Sequence, residues 1–188
     1  MTQEWKLIRP SFLFLLQNKP EGDIRGVEVG VLSGKNAITM LDYCDRLFLD
    51  LIDMLPQPVE VEDYCLEMRA KFHRLSSVEA AKRFPDGFFD YAYIDAAHDF
   101  ENVTKDLNAW WPKVNVGGIF AGHDWWYPDV KKAVFLFFKG KFQRVYGIDP
   151  IQFSSYQDDP ISWKISNTIP AADGEMMEAF SMLTNGSI

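Results

Sequence analysis

The sequence predicts an α/β fold, an open and mostly parallel sheet with helices on both faces. Three observations carry that expectation. Short apolar runs alternate with helical patterns from residue 26 to residue 138, the order that repeated βαβ units produce. The runs hold few charges, as strands covered on both faces do. The chain has 188 residues, 47% of them hydrophobic, enough for one compact core.

The elements follow in order. Trp5 to Gln17 reads as a helix capping the domain, and Pro20-Glu21-Gly22 as a turn. Gly26-Val27-Glu28-Val29-Gly30 is a strand running into glycine. Lys35 to Tyr43 is helical, with Ala37, Met40 and Leu41 on one face. Leu47 to Ile52 is the second strand. Pro56 and Pro58 then break the chain, and Val61 to Phe72 reads as a helix. Ser76-Ser77-Val78-Glu79 has the spacing of a capping box and is expected to start another helix. Phe88 to Ile94 is an aromatic, apolar run and so a buried strand. Asp99 or Asn102 caps the helix toward Trp111, and Pro112 ends it. Gly117-Gly118 makes a turn into the strand Ile119 to Gly122, and a helix spans roughly Asp129 to Phe138. Arg144 to Ile148 and Ser162 to Ser166 read as two closing strands. Past Pro170 an amphipathic helix is expected through Met176, Met177 and Phe180.

The net charge is 19 − 27 = −8. Such a surface repels phosphate backbones and disfavours a nucleic-acid substrate. Cys44 and Cys65 fit neither a disulfide framework nor a cysteine-rich zinc pattern, and read as ordinary thiols of a reduced compartment. The start of the chain lacks a basic segment followed by a small-residue cleavage site, and Phe12 to Leu16 is far too short to span a bilayer. The expectation is a cytoplasmic protein with no membrane partner.

Ligands of open parallel sheets sit beyond the C-terminal ends of the strands. The first such turn reads Glu28-x-Gly30-x-x-x-Gly34. Glycine lets backbone approach a ligand closely, and the following helix presents free N–H groups. Asp50, late in the second strand, is placed where a carboxylate accepts hydrogen bonds from a ribose diol. Asp53 is the rival for that role, because the sequence alone does not fix the strand's end. The spacing departs from the dinucleotide fingerprint Gly-x-Gly-x-x-Gly. Glu28 would oppose a pyrophosphate but suits an ammonium or sulfonium group. A cationic cofactor therefore fits better than an anionic one, and a nicotinamide dehydrogenase is the least favoured enzyme class.

Val27-Glu28-Val29-Gly30-Val31-Leu32-Ser33-Gly34, followed by Phe89 to His98 and Gly117 to Trp125, resembles the class I S-adenosylmethionine-dependent methyltransferases, in the branch described as the methyltransferase domain 24 type. The chain is similar to macrocin-type sugar O-methyltransferases and, more distantly, to catechol and caffeoyl-CoA O-methyltransferases. The resemblance covers about residues 25 to 166. It implies a Rossmann-like fold whose seven-stranded, mostly parallel sheet carries an antiparallel edge strand, here Ser162 to Ser166. One domain would span residues 1–188, its core flanked by the N-terminal capping helix and the C-terminal tail helix. By the resemblance, Glu28, Gly30, Ser33 and Gly34 surround the methionine part of S-adenosylmethionine, Asp50 holds the ribose, and Ser76 and Ser77 lie against the adenine. Asp95 is assigned to both cofactor and chemistry.

Methyl transfer is an in-line displacement at a sulfonium carbon, so the enzyme mainly aligns its reactants. A hydroxyl acceptor also loses a proton, to a base or with help from a divalent metal. Asp95, His98, His123 and Asp124 are the candidates for that work. His98, whose ordinary pKa is near 6.5, is the expected base, and Asp95 is the second catalytic candidate. By the resemblance, metal-dependent relatives place ligands at the positions of Asp95, His123 and Asp124. They carry Asp where this chain has His123. Of magnesium and manganese, that imidazole favours the softer manganese, with iron or zinc as further fits. The alternative for His98 is a helix cap, and for His123 an orienting role in its loop. Trp125-Trp126-Tyr127 either stacks on the acceptor or packs beneath the next helix.

The expected function is O-methylation of a hydroxyl on a small-molecule acceptor, a sugar or other metabolite, with or without the help of a metal. The alternatives are a metal-independent N-methyltransferase and a binding module that keeps the cofactor pocket without the chemistry. The apolar tail raises the expectation of a homodimer; otherwise it folds back on the domain.

Overall fold

The computed structural model describes residues 8–19, 21–125, 127–138, 145–147 and 163–166. Five strands run parallel: β1 Ile24–Val29, β2 Leu47–Asp53, β3 Ala70–Arg74, β4 Phe89–Ile94 and β5 Val114–Gly122. With β6 Val145–Gly147 and β7 Trp163–Ser166 they form a seven-stranded sheet in the order β3-β2-β1-β4-β5-β7-β6. The strand order reverses between β1 and β4, which opens the crevice where such sheets take ligands.

The mostly parallel seven-stranded sheet is as predicted, and β7 is the expected antiparallel strand. It stands one place in from the edge, paired with β5 on one side and β6 on the other. The edge falls to β6, which is three residues long and so leaves little unpaired backbone.

Among the described residues six helices cover the sheet: α1 Pro10–Asn18, α2 Lys35–Tyr43, α3 Glu62–Leu66, α4 Ser77–Ala81, α5 Phe100–Trp110 and α6 Pro128–Phe138. On one face Phe12, Leu15, Ala37, Met40 and Leu41 pack with Ile24, Leu49, Leu51, Tyr91 and Tyr93. On the other, Val103, Leu107, Trp110, Val130 and Val134 pack with Val27, Val29, Ala92, Ile94 and Phe120. Strand side chains alternate between faces, so Glu28, between Val27 and Val29, points to the side of α1 and α2. The Ser11 hydroxyl and the Tyr91 hydroxyl share a hydrogen bond of 2.8 Å, and Phe12 meets Tyr91 edge-on at 5.3 Å, which ties α1 to β4. Trp125 is buried in the core beside α6, so it takes the packing role of its two expected ones. Among the described residues no helix is long and apolar enough to cross a membrane.

Three expectations are corrected. The helix predicted over Val61 to Phe72 stops at Leu66, and the chain turns into β3. The turn uses Met68 at φ 62°, a left-handed position that no glycine marks. Gly117-Gly118 is a bulge inside β5, not a turn before it: the pairing with β4 shifts register between Phe89 and Tyr91. A Cβ at Gly118 would stand 2.7 Å from Val114 Cγ1 and 2.9 Å from the Asp90 carbonyl oxygen. Ser76 does stand at the N-cap of α4, but its side chain makes no capping hydrogen bond, so the capping box is not formed. At α5 the cap is Asp99, which accepts from the Asn102 N–H. The helix expected through Met176, Met177 and Phe180, and the dimer surface attributed to it, lie outside the described residues.

Candidate functional site

Residues following β1 to β5 converge on one cavity of about 860 Å³, a size suited to a small ligand. Of the predicted site residues, Glu28, Gly30, Ser33, Ser76, Ser77, Asp95, His98, His123 and Asp124 line it. Gly34 and Asp50 do not. Arg9, Asn36, Asp53, Asn102, Lys105 and Asp106 line it as well.

At one end sits Glu28, 2% exposed. Its Oε1 accepts a hydrogen bond from Asn36 Nδ2 at 3.0 Å, while its buried Oε2 has no hydrogen-bond partner among the described residues. Burial pushes the carboxyl up to about 8, against the opposing hydrogen bond from Asn36. A buried carboxyl oxygen left without a hydrogen-bond partner is costly, and a cationic group in the cavity would favour the carboxylate form and pair with it. Asn36 Oδ1 in turn accepts from Arg9 Nε at 3.1 Å, and the Arg9 guanidinium lies 5.6 Å from the centre of the Tyr93 ring. Neither Arg9 nor Asn36 was expected at the site. Asn36 had a visible signal, an amide in the first turn after Gly34; Arg9 had none, because α1 reads only as a cap.

Gly30 lines the cavity and also joins two loops. Its φ is 88°, and a Cβ there would stand 2.0 Å from the Asp95 carbonyl oxygen. The missing side chain lets the loops after β1 and β4 touch each other. Gly34, at φ 74°, caps α2 and clears Val61, whose Cγ1 would lie 2.6 Å from a Cβ.

Asp53 anchors the turn. Its Oδ2 accepts the N–H groups of Val31 and Leu32 at 2.8 and 2.9 Å, and its Oδ1 that of Leu55 at 2.9 Å. Burial acts to raise this carboxyl, but the backbone donors outweigh it and hold it below the usual carboxylate range. Asp50 is corrected by position. Its Oδ1 lies 2.6 Å from His73 Nε2 on β3, away from the cavity. The cause is the length of β2, which runs on to Asp53 and so makes Asp53 the strand-end acid.

At the α4–α5 end, Ser77 donates to Asp106 Oδ1 and accepts from Trp110 Nε1 at 2.9 Å. Asp106 is 4% exposed, and burial pushes its carboxyl up to about 6 against the Ser77 hydrogen bond. Its sequence signal was an acid in the otherwise apolar stripe of Val103, Leu107 and Trp110.

The third region holds the predicted chemistry. His98 Nε2 lies 2.5 Å from Asp124 Oδ2. His123 Nδ1 lies 3.2 Å from Asp124 Oδ2 and 3.6 Å from Asp95 Oδ1. Burial raises the Asp95 carboxyl, and the charge of Asp124 adds to the rise. Burial also acts to raise Asp124, but hydrogen bonds and charge from His123 and His98 outweigh it and hold the group low. The Tyr127 ring stacks on His98 at 5.0 Å and 4°. Among the described residues, Asp95, His98 and Asp124 can offer ligand atoms that all lie within 4.8 Å of one another. His98 thus stands where the expected metal set had His123, because the loop after β4 brings it onto Asp124.

A family model described as a methyltransferase domain matches residues 27–125, more than half of the chain. A protein assigned as a caffeoyl-CoA O-methyltransferase from Staphylococcus aureus superposes with a TM-score of 0.63 at 13% identity, over 85% of this chain and 84% of its own. A precorrin-6y C5,15-methyltransferase from Geobacter metallireducens gives 0.61 at 13% identity, over 91% of this chain and 94% of its own. A spermidine synthase from Thermotoga maritima gives 0.54 at 17% identity, over 83% of this chain and 59% of its own. At these identities the likeness concerns the fold. No curated protein matches the chain.

Proposed function

We propose that this chain, which belongs to the methyltransferase domain family of S-adenosylmethionine-dependent methyltransferases, methylates a hydroxyl on a small-molecule acceptor such as a sugar. The observation that carries the acceptor chemistry is the His98–Asp124 pair at the cavity wall beside Asp95.

The cavity fits the cofactor on its own chemistry. The buried Oε2 of Glu28 has no hydrogen-bond partner among the described residues, and the cofactor brings an ammonium and a sulfonium that would favour its carboxylate. Glu28, Gly30 and Ser33 would flank its amino-acid end, Asp53 its ribose, and Ser76 and Ser77 its adenine. When bound, the cofactor supplies a methyl group already activated on sulfur. The residues' task is then alignment and proton removal. Asp124 holds one imidazole nitrogen of His98, which leaves the other ring nitrogen to accept the hydroxyl proton. The carboxylate then stabilises the imidazolium that forms. Asp95, whose carboxyl burial pushes upward, lines the cavity beside the pair and positions the hydroxyl. The net charge of −8 supports an uncharged or cationic acceptor over nucleic acid.

A second reading has one observation in its favour. Asp95, His98 and Asp124 offer three ligand atoms within 4.8 Å of one another, two carboxylates and an imidazole, a set suited to manganese, iron or zinc. A metal there would lower the hydroxyl's pKa and leave His98 unable to act as base.

The test uses S-adenosylmethionine labelled in the methyl group and a panel of hydroxylated small molecules, with and without EDTA. Transfer that survives chelation and disappears in His98→Ala supports the base. Transfer that EDTA abolishes and manganese restores supports the metal. No binding of S-adenosylmethionine or S-adenosylhomocysteine by calorimetry sinks both.

A further inference from the structure

We propose that Arg9 reads the carboxylate of the cofactor's amino-acid end, so that the cavity selects cofactor carrying that carboxylate over its decarboxylated form. The inference rests on the cofactor reading above and extends it to a residue outside the matched family region, which begins at residue 27.

The argument is one of spacing. Arg9 Nε and Glu28 Oε1 are bridged by the single side-chain amide of Asn36, with hydrogen bonds of 3.1 and 3.0 Å at its two ends. An α-amino acid carries its ammonium and carboxylate on one carbon, so those two groups span a distance close to that between the oxygen and nitrogen of an amide. An acid and a base held one amide apart are therefore spaced to take an amino-acid head beside that amide. Glu28 Oε2, buried in the cavity wall and without a hydrogen-bond partner among the described residues, is the receiver for the ammonium. Arg9, also in the cavity wall, is the receiver for the carboxylate. A guanidinium matches a carboxylate in shape and charge. Its position is fixed from three sides: the Asn36 bond, the Tyr93 ring, and the anchoring of α1 through Ser11 and Phe12 to Tyr91.

The consequence is a preference among donors. A decarboxylated donor gains nothing from Arg9, and a donor that keeps its carboxylate gains a charge-assisted contact.

The experiment is calorimetric titration of S-adenosylhomocysteine and decarboxylated S-adenosylhomocysteine into the wild-type chain, Arg9→Gln and Arg9→Lys. The wild type is expected to bind the intact compound about 10- to 100-fold more tightly than the decarboxylated one, the range of a charge-assisted hydrogen bond. Arg9→Gln should erase that preference by weakening only the intact compound, and Arg9→Lys should retain part of it. Thermal unfolding of each unliganded variant checks that it is folded. Equal wild-type affinity for the two compounds overturns the inference while leaving the cofactor reading intact. Equal weakening of both compounds in Arg9→Gln overturns it too, and makes Arg9 a support for Asn36. Binding of neither compound by the wild type overturns both readings.

Discussion

His98 and Asp124 meet at 2.5 Å, and Asp124 makes that contact from the left-handed backbone region, at φ 59°. Aspartate tolerates the conformation better than most residues but still at a cost. Asn tolerates it equally, so Asp124→Asn should fold and bind S-adenosylhomocysteine as the wild type does. Its amide cannot stabilise an imidazolium, and turnover should fall by about 10²- to 10⁴-fold. His98→Ala should fall similarly. The double variant should be little worse than either single one, because the pair acts as a unit. Single-turnover rates of labelled methyl transfer check this; additive losses would separate the two residues' roles.

Glu28 makes stability fall as pH rises. In the folded protein its carboxyl sits at about 8 instead of 4.5. Between those values the folded chain keeps a proton that the unfolded chain has lost. Unfolding free energy then slopes downward with pH. The contribution is fully present below pH 4.5 and is lost as pH passes through about 8. The difference between wild type and Glu28→Gln isolates it. The variant should match the wild type at low pH and exceed it near pH 9 by on the order of a few kcal/mol, read from urea unfolding at each pH. Parallel curves would mean that Glu28 is ionised in the fold.

The same proton should leave when a cation arrives. At pH 7 the unliganded Glu28 is protonated, and an ammonium placed against Oε2 favours the carboxylate. Binding of S-adenosylhomocysteine should therefore release close to one proton more in the wild type than in Glu28→Gln. Calorimetry in buffers of differing ionisation enthalpy counts those protons. Equal release by the two proteins would remove Glu28 from the ammonium's site.

Much of this fold is written locally. The bounds of α2 match the predicted Lys35 to Tyr43 because Gly34 starts the helix and its apolar stripe is clean. β1, β2 and β4 are legible because strands buried on both faces leave uninterrupted apolar runs. β3 is not, because it is an edge strand with Lys71 and Arg74 exposed, and its polar residues extend the preceding helical pattern. Without β3 there is no His73 to occupy Asp50, so Asp50 looked available for a ligand. The acids and histidines of the cavity were legible as residues following strands. Their pairing is not, since His98 reaches Asp124 only through the fold of the loop after β4, while His123 is its neighbour in sequence. Arg9 was invisible because its place depends on the docking of α1, a tertiary contact made through Tyr91.

Among the described glycines, Gly30 leaves the least room for a side chain. An alanine there meets two separate penalties. Its φ of 88° is unfavourable for any side chain, and its Cβ would stand 2.0 Å from the Asp95 carbonyl oxygen, a backbone atom that cannot swing away. The first costs about 1–3 kcal/mol, and forcing the two loops apart costs about 1–3 kcal/mol more. Gly22 provides the control. Its φ is 77°, but nothing lies within 4 Å of a Cβ there, so Gly22→Ala carries only the backbone penalty. Urea unfolding should show Gly30→Ala losing clearly more stability than Gly22→Ala. Loss of methyl transfer should accompany it, because the displaced segment carries Asp95 and leads into His98. Equal losses at the two glycines would mean that the β4 loop yields, and that the contact between Gly30 and Asp95 does not set the geometry of the site.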